Sequence, residues 1–173
     1  MSIVTNVNIV IDTDGLLKKY PSGSTDPNNP TPVSHEFEYM VVNGNNSISG
    51  QGGADLNFAA AVGDEVRFSG VSGSNNFENQ VQIIGIKRYG GDQVFSTFEV
   101  NSFTKSSYVP SNSSNGLPVT FADRNFSFLS ASVTNRGTEN YQVQFAVYVR
   151  DRDHQNPVLK GYYQWDPTIT VNS

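Results

Sequence analysis

The sequence predicts an all-β fold, a single-domain antiparallel β sandwich, and three features of the chain point there. Apolar and polar residues alternate with period two in one segment after another. Clusters of Gly, Asn, Ser and Pro separate those segments, and helical spacing is almost absent. Many short strands without helices between them argue against βαβ units and for two packed sheets. A jelly roll fits the same pattern, and strand order stays open.

Ile3, Thr5, Val7, Ile9 and Ile11 alternate with mostly polar neighbours, which predicts a strand starting near the N-terminus. Pro21, Asp26, Pro27, Asn28, Asn29, Pro30 and Pro32 oppose helix and central strand alike, so Pro21–Pro32 reads as a surface loop. In the next strand Phe37, Tyr39 and Val41 alternate with Glu36, Glu38 and Met40, and Asn43–Gly53 is turn chemistry. Leu56, Phe58, Ala60 and Val62 lead into Gly63-Asp64, after which Val66 and Phe68 resume the rhythm. That predicts two antiparallel strands around a tight turn.

Val81, Ile83 and Gly85 interleave with Gln82, Ile84 and Ile86, the pattern of a strand covered on both faces, before Gly90-Gly91 turns the chain toward Val94–Val100. Tyr108–Pro118 is a third loop. It separates the two densest parts of the chain, but either half alone holds few strands, so residues 1–173 are read as one domain. Phe126–Val133 follows, then the turn Asn135-Arg136-Gly137. In Asn140–Arg150 the residues Tyr141, Val143, Phe145, Val147 and Val149 alternate strictly with Gln142, Gln144, Ala146, Tyr148 and Arg150, which predicts a central strand. Asp151–Pro157 turns the chain once more and Tyr162–Val171 closes the sheet.

Composition narrows the function classes. At 173 residues the chain can hold a core without staples, since folding at this length buries roughly 70% of the unfolded surface. A formal charge of -5 and a pI near 4.8 argue against nucleic acid, whose binding needs clustered Lys and Arg. Without cysteine there is no disulfide framework, thiol nucleophile or zinc-thiolate site. No run approaches the roughly 20 apolar residues of a membrane span, and Met1–Asp12 lacks a basic n-region, so the expected location is the cytoplasm. Charged residues are only 16% of the chain, which leaves a neutral polar surface that resists self-association less than a charged one.

Candidate chemistry is sparse. His35 and His154 are the two imidazoles, both in polar loops, where a solvated side chain competes with a base or a metal ligand. No Gly-x-Ser-x-Gly elbow supports a serine nucleophile, and no pair of carboxylates is singled out for glycoside hydrolysis. Ala60–Phe68 is similar to a strand-turn-strand entry of copper-binding sandwiches, but the thiolate such copper needs is missing. Asp12-Thr13-Asp14-Gly15 is half of a calcium loop; the remaining ligands are out of register, and a capped strand end fits as well. Asp151-Arg152-Asp153 offers two carboxylates beside opposing Arg charge and reads as a hairpin turn. Asn45, Asn112 and Asn125 open N-glycosylation patterns, which carry little information without a signal peptide. Tyr162-Tyr163-Gln164-Trp165-Asp166-Pro167 either stacks on a sugar or partner ring or, as alternate aromatics on a last strand do, packs in the core. No catalytic, cofactor-binding or metal residue is assigned; calcium at Asp12 and Asp14 is the one cofactor left open.

Several stretches carry a family resemblance: Asp26-Pro27-Asn28-Asn29-Pro30, Ser49-Gly50-Gln51-Gly52 through Asp55-Leu56-Asn57-Phe58, Gly137 through Phe145, Arg150-Asp151-Arg152-Asp153, and Gly161 through Pro167. Together they resemble the PixA/AidA inclusion body protein family over about Ile9 to Val171. The resemblance implies an immunoglobulin-like β sandwich in an abundant bacterial protein of late growth or quorum-sensing control. Some relatives deposit as cytoplasmic inclusions and some are linked to invertebrate hosts. It carries no catalytic residues over. Two functions are therefore expected to compete. One is a non-enzymatic structural or storage protein that forms homo-oligomers. The other is a lectin-like or other binding module, released without a signal peptide, whose loops Pro21–Pro32, Asn43–Gly53 and Tyr108–Pro118 present a host glycan or protein ligand.

Overall fold

The structure, a computed structural model, describes residues 3–151, 153, 156–169 and 171–172. Its elements in chain order are β1 (Val4–Ile11), α1 (Thr13–Lys19), β2 (Thr31–Pro32), β3 (Glu38–Val42), β4 (Ser47–Ser49), β5 (Asn57–Ala59) and β6 (Glu65–Ser72). There follow β7 (Gln80–Gly91), β8 (Glu99–Val109), β9 (Thr120–Ser132), β10 (Glu139–Arg150), β11 (Pro157–Trp165), β12 (Thr168–Ile169) and β13 (Val171–Asn172).

One sheet has the order β3-β1-β6-β9-β8. Facing it, a second sheet centres on β10, which pairs antiparallel with β7 on one side and with β11 and then β12 on the other. The two-residue β2 ends it, and β13-β5-β4 forms a small third sheet. Antiparallel pairs dominate, so the fold is an all-β sandwich, but β1 and β6 run parallel over eight residue pairs. That pairing requires a long crossover, which α1 through β5 provides.

The period-two pattern holds in β1, where Thr5, Val7, Ile9 and Ile11 are buried although Ile3 before them is exposed, and in β10, where Tyr141, Val143, Phe145 and Val147 are fully buried; Val149, expected with them, is half-buried beyond a bulge, and Gln144 and Ala146 of the other face are buried as well. Aromatic rings join the sheets: Phe68 of β6 lies 5.7 Å from Tyr141 of β10, edge to face. Phe58 stands 6.4 Å from the same Phe68. Burial of such rings is the dominant favourable contribution, with roughly 0.5–1.5 kcal/mol more from the edge-to-face geometry.

Four local expectations are corrected. The chain does not pass from β1 straight into a loop: Asp12 caps the seven-residue helix α1, whose Leu16 is buried. In β3 the face is reversed. Glu38, Met40 and Val42 point inward while Tyr39 and Val41 are exposed, because the register with β1 sets Met40 opposite Ile9. Leu56–Ala60 and Val66–Phe68 are not a hairpin, since β5 pairs with β4 and β13 whereas β6 pairs with β1 and β9. Finally, β7 is not covered on both faces. A bulge opposite Gln144 and Phe145 shifts its phase, so that Ile83 and Ile86 both reach the core and Ile84 is left half-buried.

Candidate functional site

His35 is held between two carboxylates. Its Nδ1 lies 3.1 Å from Asp55 Oδ1 and its Nε2 3.2 Å from Asp166 Oδ1, so three segments meet at one ring: the chain before β3, the loop before β5 and the residue after β11. Burial opposes the charged ring, but the hydrogen bonds to Asp166 and Asp55 together outweigh it and raise the His35 pKa above its ordinary value. A carboxylate at each nitrogen favours the protonated ring, the form that has no lone pair to act as a base or a ligand. Among the described residues no group of three His, Cys, Asp or Glu side chains could hold a metal ion.

Beside this cluster Glu38 is almost fully buried. Its Oε2 accepts from the Phe37 amide at 3.1 Å, and its Oε1 has no hydrogen-bond partner among the described residues. Desolvation pushes its pKa up to about 7, against the opposing pull of the Phe37 amide and the His35 charge. The sequence pattern does not reveal this residue, because alternation with Phe37, Tyr39 and Val41 puts Glu38 on the polar face of its strand.

The other described candidate residues have partners within the fold. Asp12 Oδ1 accepts from the Gly15 amide at 3.0 Å, which is helix capping, and Asp14 Oδ1 accepts from Asn79 Nδ2 at 3.3 Å. Asp151 closes its turn through Asn156, whose carbonyl accepts from the Asp151 amide at 2.9 Å. His154 and Arg152 lie outside the described residues. In Tyr162–Pro167 the core reading holds: Tyr163 stacks on Phe145 at 5.7 Å, and Trp165, 1% exposed, donates to the Ala54 carbonyl at 3.2 Å. Of the three long loops, Pro21–Pro32 lies along β11 through the Ser24–Tyr162 bridge, and Asn43–Gly53 covers the edge of β3. Residues 110–118 instead form the tip of the β8–β9 hairpin, carried away on an exposed ribbon. They are not brought into one cleft.

That ribbon is the most unusual surface of the molecule. β9 pairs with β6 only from Leu129 to Ser132, whereas β8 and β9 stay paired as far as Val109 and Thr120. From Asn101 outward the ribbon therefore leaves the sandwich and bares both faces. One face carries Phe103 opposite Phe126 and Lys105 opposite Arg124. The Phe103 and Phe128 rings lie 5.9 Å apart, and the Arg67 guanidinium sits 4.7 Å from the centre of Phe128. The other face carries Tyr108 opposite Phe121, 66% and 72% exposed. A two-stranded ribbon alone is marginal in water, and aromatic rings left this open are costly unless something covers them. The sequence hid the arm because rings lie on both of its faces, Phe103, Phe126 and Phe128 on one and Tyr108 and Phe121 on the other, among Ser, Thr and Asn, so that no single face is apolar.

The family model for PixA, inclusion body protein, matches residues 3–171. The chain belongs to the PixA inclusion body protein family. No curated protein matches the sequence significantly. Among solved structures, a PixA inclusion body protein from Burkholderia cenocepacia J2315 superposes with a TM-score of 0.79 at 22% identity, covering 98% of this chain and 95% of that one. At that identity the likeness extends to the fold, so the PixA sandwich is shared while surface chemistry is this chain's own. Among the described residues no helix is long and apolar enough to cross a membrane.

Proposed function

We propose that the protein is a non-enzymatic structural protein that associates with itself through the β8–β9 arm and accumulates in this way as cytoplasmic inclusions. The observation that carries the reading is the arm itself, exposed on both faces and lined with Phe103, Tyr108, Phe121 and Phe126. The family description supports it, as does a sequence with 16% charged residues, in which close approach of copies desolvates few ions. His35, the described imidazole, is held between two carboxylates that favour its protonated form, which speaks against a general base there.

Sedimentation across a concentration series, for the wild type and for a chain whose arm residues 102–127 are replaced by a two-residue turn, tests the reading. Species above 18.9 kDa are expected for the wild type and should persist at high salt, since screening leaves apolar contacts and backbone hydrogen bonds largely intact. The shortened chain should be monomeric. A wild type that stays monomeric at millimolar concentration, or a shortened chain that still associates, overturns it.

The second reading, a ligand-binding module, is favoured by the hollow of about 290 Å³ lined by Arg67, Phe103, Lys105, Phe126 and Phe128, which joins rings to cations. A glycan array with and without calcium tests it, and binding lost in Phe103→Ser would support it.

A further inference from the structure

The strand edges of the molecule are not equally open. The outer edge of β3 is plugged by its own loop: Met40 N donates to the Gly53 carbonyl at 3.0 Å, Gly52 N donates to the Met40 carbonyl at 2.7 Å, and the Gln51 amide bonds Val42 N and the Val42 carbonyl at 3.1 and 2.6 Å. Gly50 makes this plug with φ +72, and a Cβ there would collide with the Asp55 carbonyl. On β7, Asn76 closes the edge at Val81 through its side-chain oxygen at 2.9 Å, and two bulges bend the rest. β2 has two residues and β4 three. Edges that short or that well covered are protected against pairing with another chain. β8 is different. It runs for 11 residues, its partner among the described residues is β9 alone, and no loop bonds its outer edge.

The charges along β8 add a register. Lys105 stands opposite Arg124, a like-charge pair that destabilises the ribbon, and no carboxylate of the described chain pairs with it. Glu99 lies on the same face of the same strand, exposed and also without an ion pair among the described residues. The two charges sit three residues to either side of Ser102, with opposite sign.

We infer that two copies of the chain pair antiparallel, β8 against β8, about a twofold axis at Ser102, so that Lys105 of each copy faces Glu99 of the other and the two five-stranded sheets become one. The inference rests on the self-association reading above and names its contact. In an antiparallel pair, residues whose positions are symmetric about the axis lie directly opposite on one face. Ser102 meets Ser102, Val100 meets Thr104, Asn101 meets Phe103, and each Lys105 gains the counter-charge that its own copy denies it. The interface is isologous, as a twofold requires. It closes the β8 edge and leaves the exposed rings of the arm for contacts between dimers.

Cysteine cross-linking tests the register, because the chain has no cysteine of its own. In Ser102→Cys the paired Cα atoms stand about 4.5–5.5 Å apart, within disulfide reach. In Thr104→Cys the two sulfurs are offset by four residues, about 13 Å, and cannot join. Mild oxidation should therefore give covalent dimer with Ser102→Cys at least about tenfold faster than with Thr104→Cys. Val100→Cys mixed with Thr104→Cys should cross-link where neither does alone. Glu99→Lys or Lys105→Glu alone should raise the dimer dissociation constant about tenfold, by placing like charges opposite at two symmetric points, and the double exchange Glu99→Lys with Lys105→Glu should restore it. Equal cross-linking at all positions, or none while sedimentation still gives dimer, overturns the β8 pairing and leaves self-association through the arm standing. A wild type that never exceeds a monomer removes both.

Discussion

Glu38→Gln isolates the one buried carboxylate whose charge the fold opposes. In the folded chain its pKa is about 7 against an ordinary 4.5. A group whose folded pKa is raised by burial loses stability as pH rises, because the unfolded chain ionises first. The loss begins near pH 4.5, grows until the folded group ionises near pH 7, and is constant above that. At about 1.4 kcal/mol per pH unit between the two values, the full loss is roughly 3 kcal/mol. Gln has the same shape and no charge to desolvate, so the variant should match the wild type within about 1 kcal/mol at pH 5 and exceed it by roughly 2–3 kcal/mol at pH 8.5. Urea unfolding at the two pH values reads this directly, and the gain corresponds to a melting temperature higher by very roughly 6 °C at the upper pH. Groups acting on Glu38 include His35, which favours its charge, and Glu36, which opposes it. His35, with a raised pKa, adds a slope of the same sign that both proteins keep, since its stabilisation is complete below its unfolded pKa of about 6.5 and is lost as pH rises through the folded value. Parallel stability-pH curves for the two proteins would refute the reasoning.

Phe145→Ala removes a fully buried ring packed 5.7 Å from Tyr163 and 5.6 Å from Trp165, and should cost about 3–5 kcal/mol in denaturant unfolding. A loss below about 1 kcal/mol would mean that β10 is not central. Asp12→Ala should cost about 1 kcal/mol, the worth of a helix cap, with the same melting temperature shift in calcium and in chelator. Calcium-dependent stabilisation of the wild type alone would support the cation reading of Asp12 and Asp14.

Strands with one wet and one dry face were legible wherever side chains divide cleanly by polarity. β1 is such a strand, and its inward residues could be named from alternation; in β10 alternation named Tyr141, Val143, Phe145 and Val147 but not the burial of Gln144 and Ala146 on its other face. β3 broke the rule: Tyr39 and Val41 are as apolar as Met40 and Val42, so polarity did not decide which set faces in, and pairing with β1 did. α1 escaped because seven residues are too few for a 3.6-residue period to repeat. The arm escaped for the opposite reason, since a ribbon exposed on both faces leaves no burial pattern to detect.

What the sequence determined by itself is the all-β class, the central strand β10 and membership of a family recognised by motifs along the chain. These follow from local periodicity and from residue identities in order. Strand partners belonged to the tertiary structure alone, because pairing is settled by contacts between residues far apart in the chain. Val66 lies beside Thr5 and not beside Phe58, and no local rhythm encodes that choice. The tertiary structure likewise decided that His35 meets Asp55 and Asp166, 131 residues away from one of them, and that β8 ends as an open edge. Burial, charge pairing and free backbone groups are properties of what surrounds a residue, and the surroundings exist only once the chain has folded.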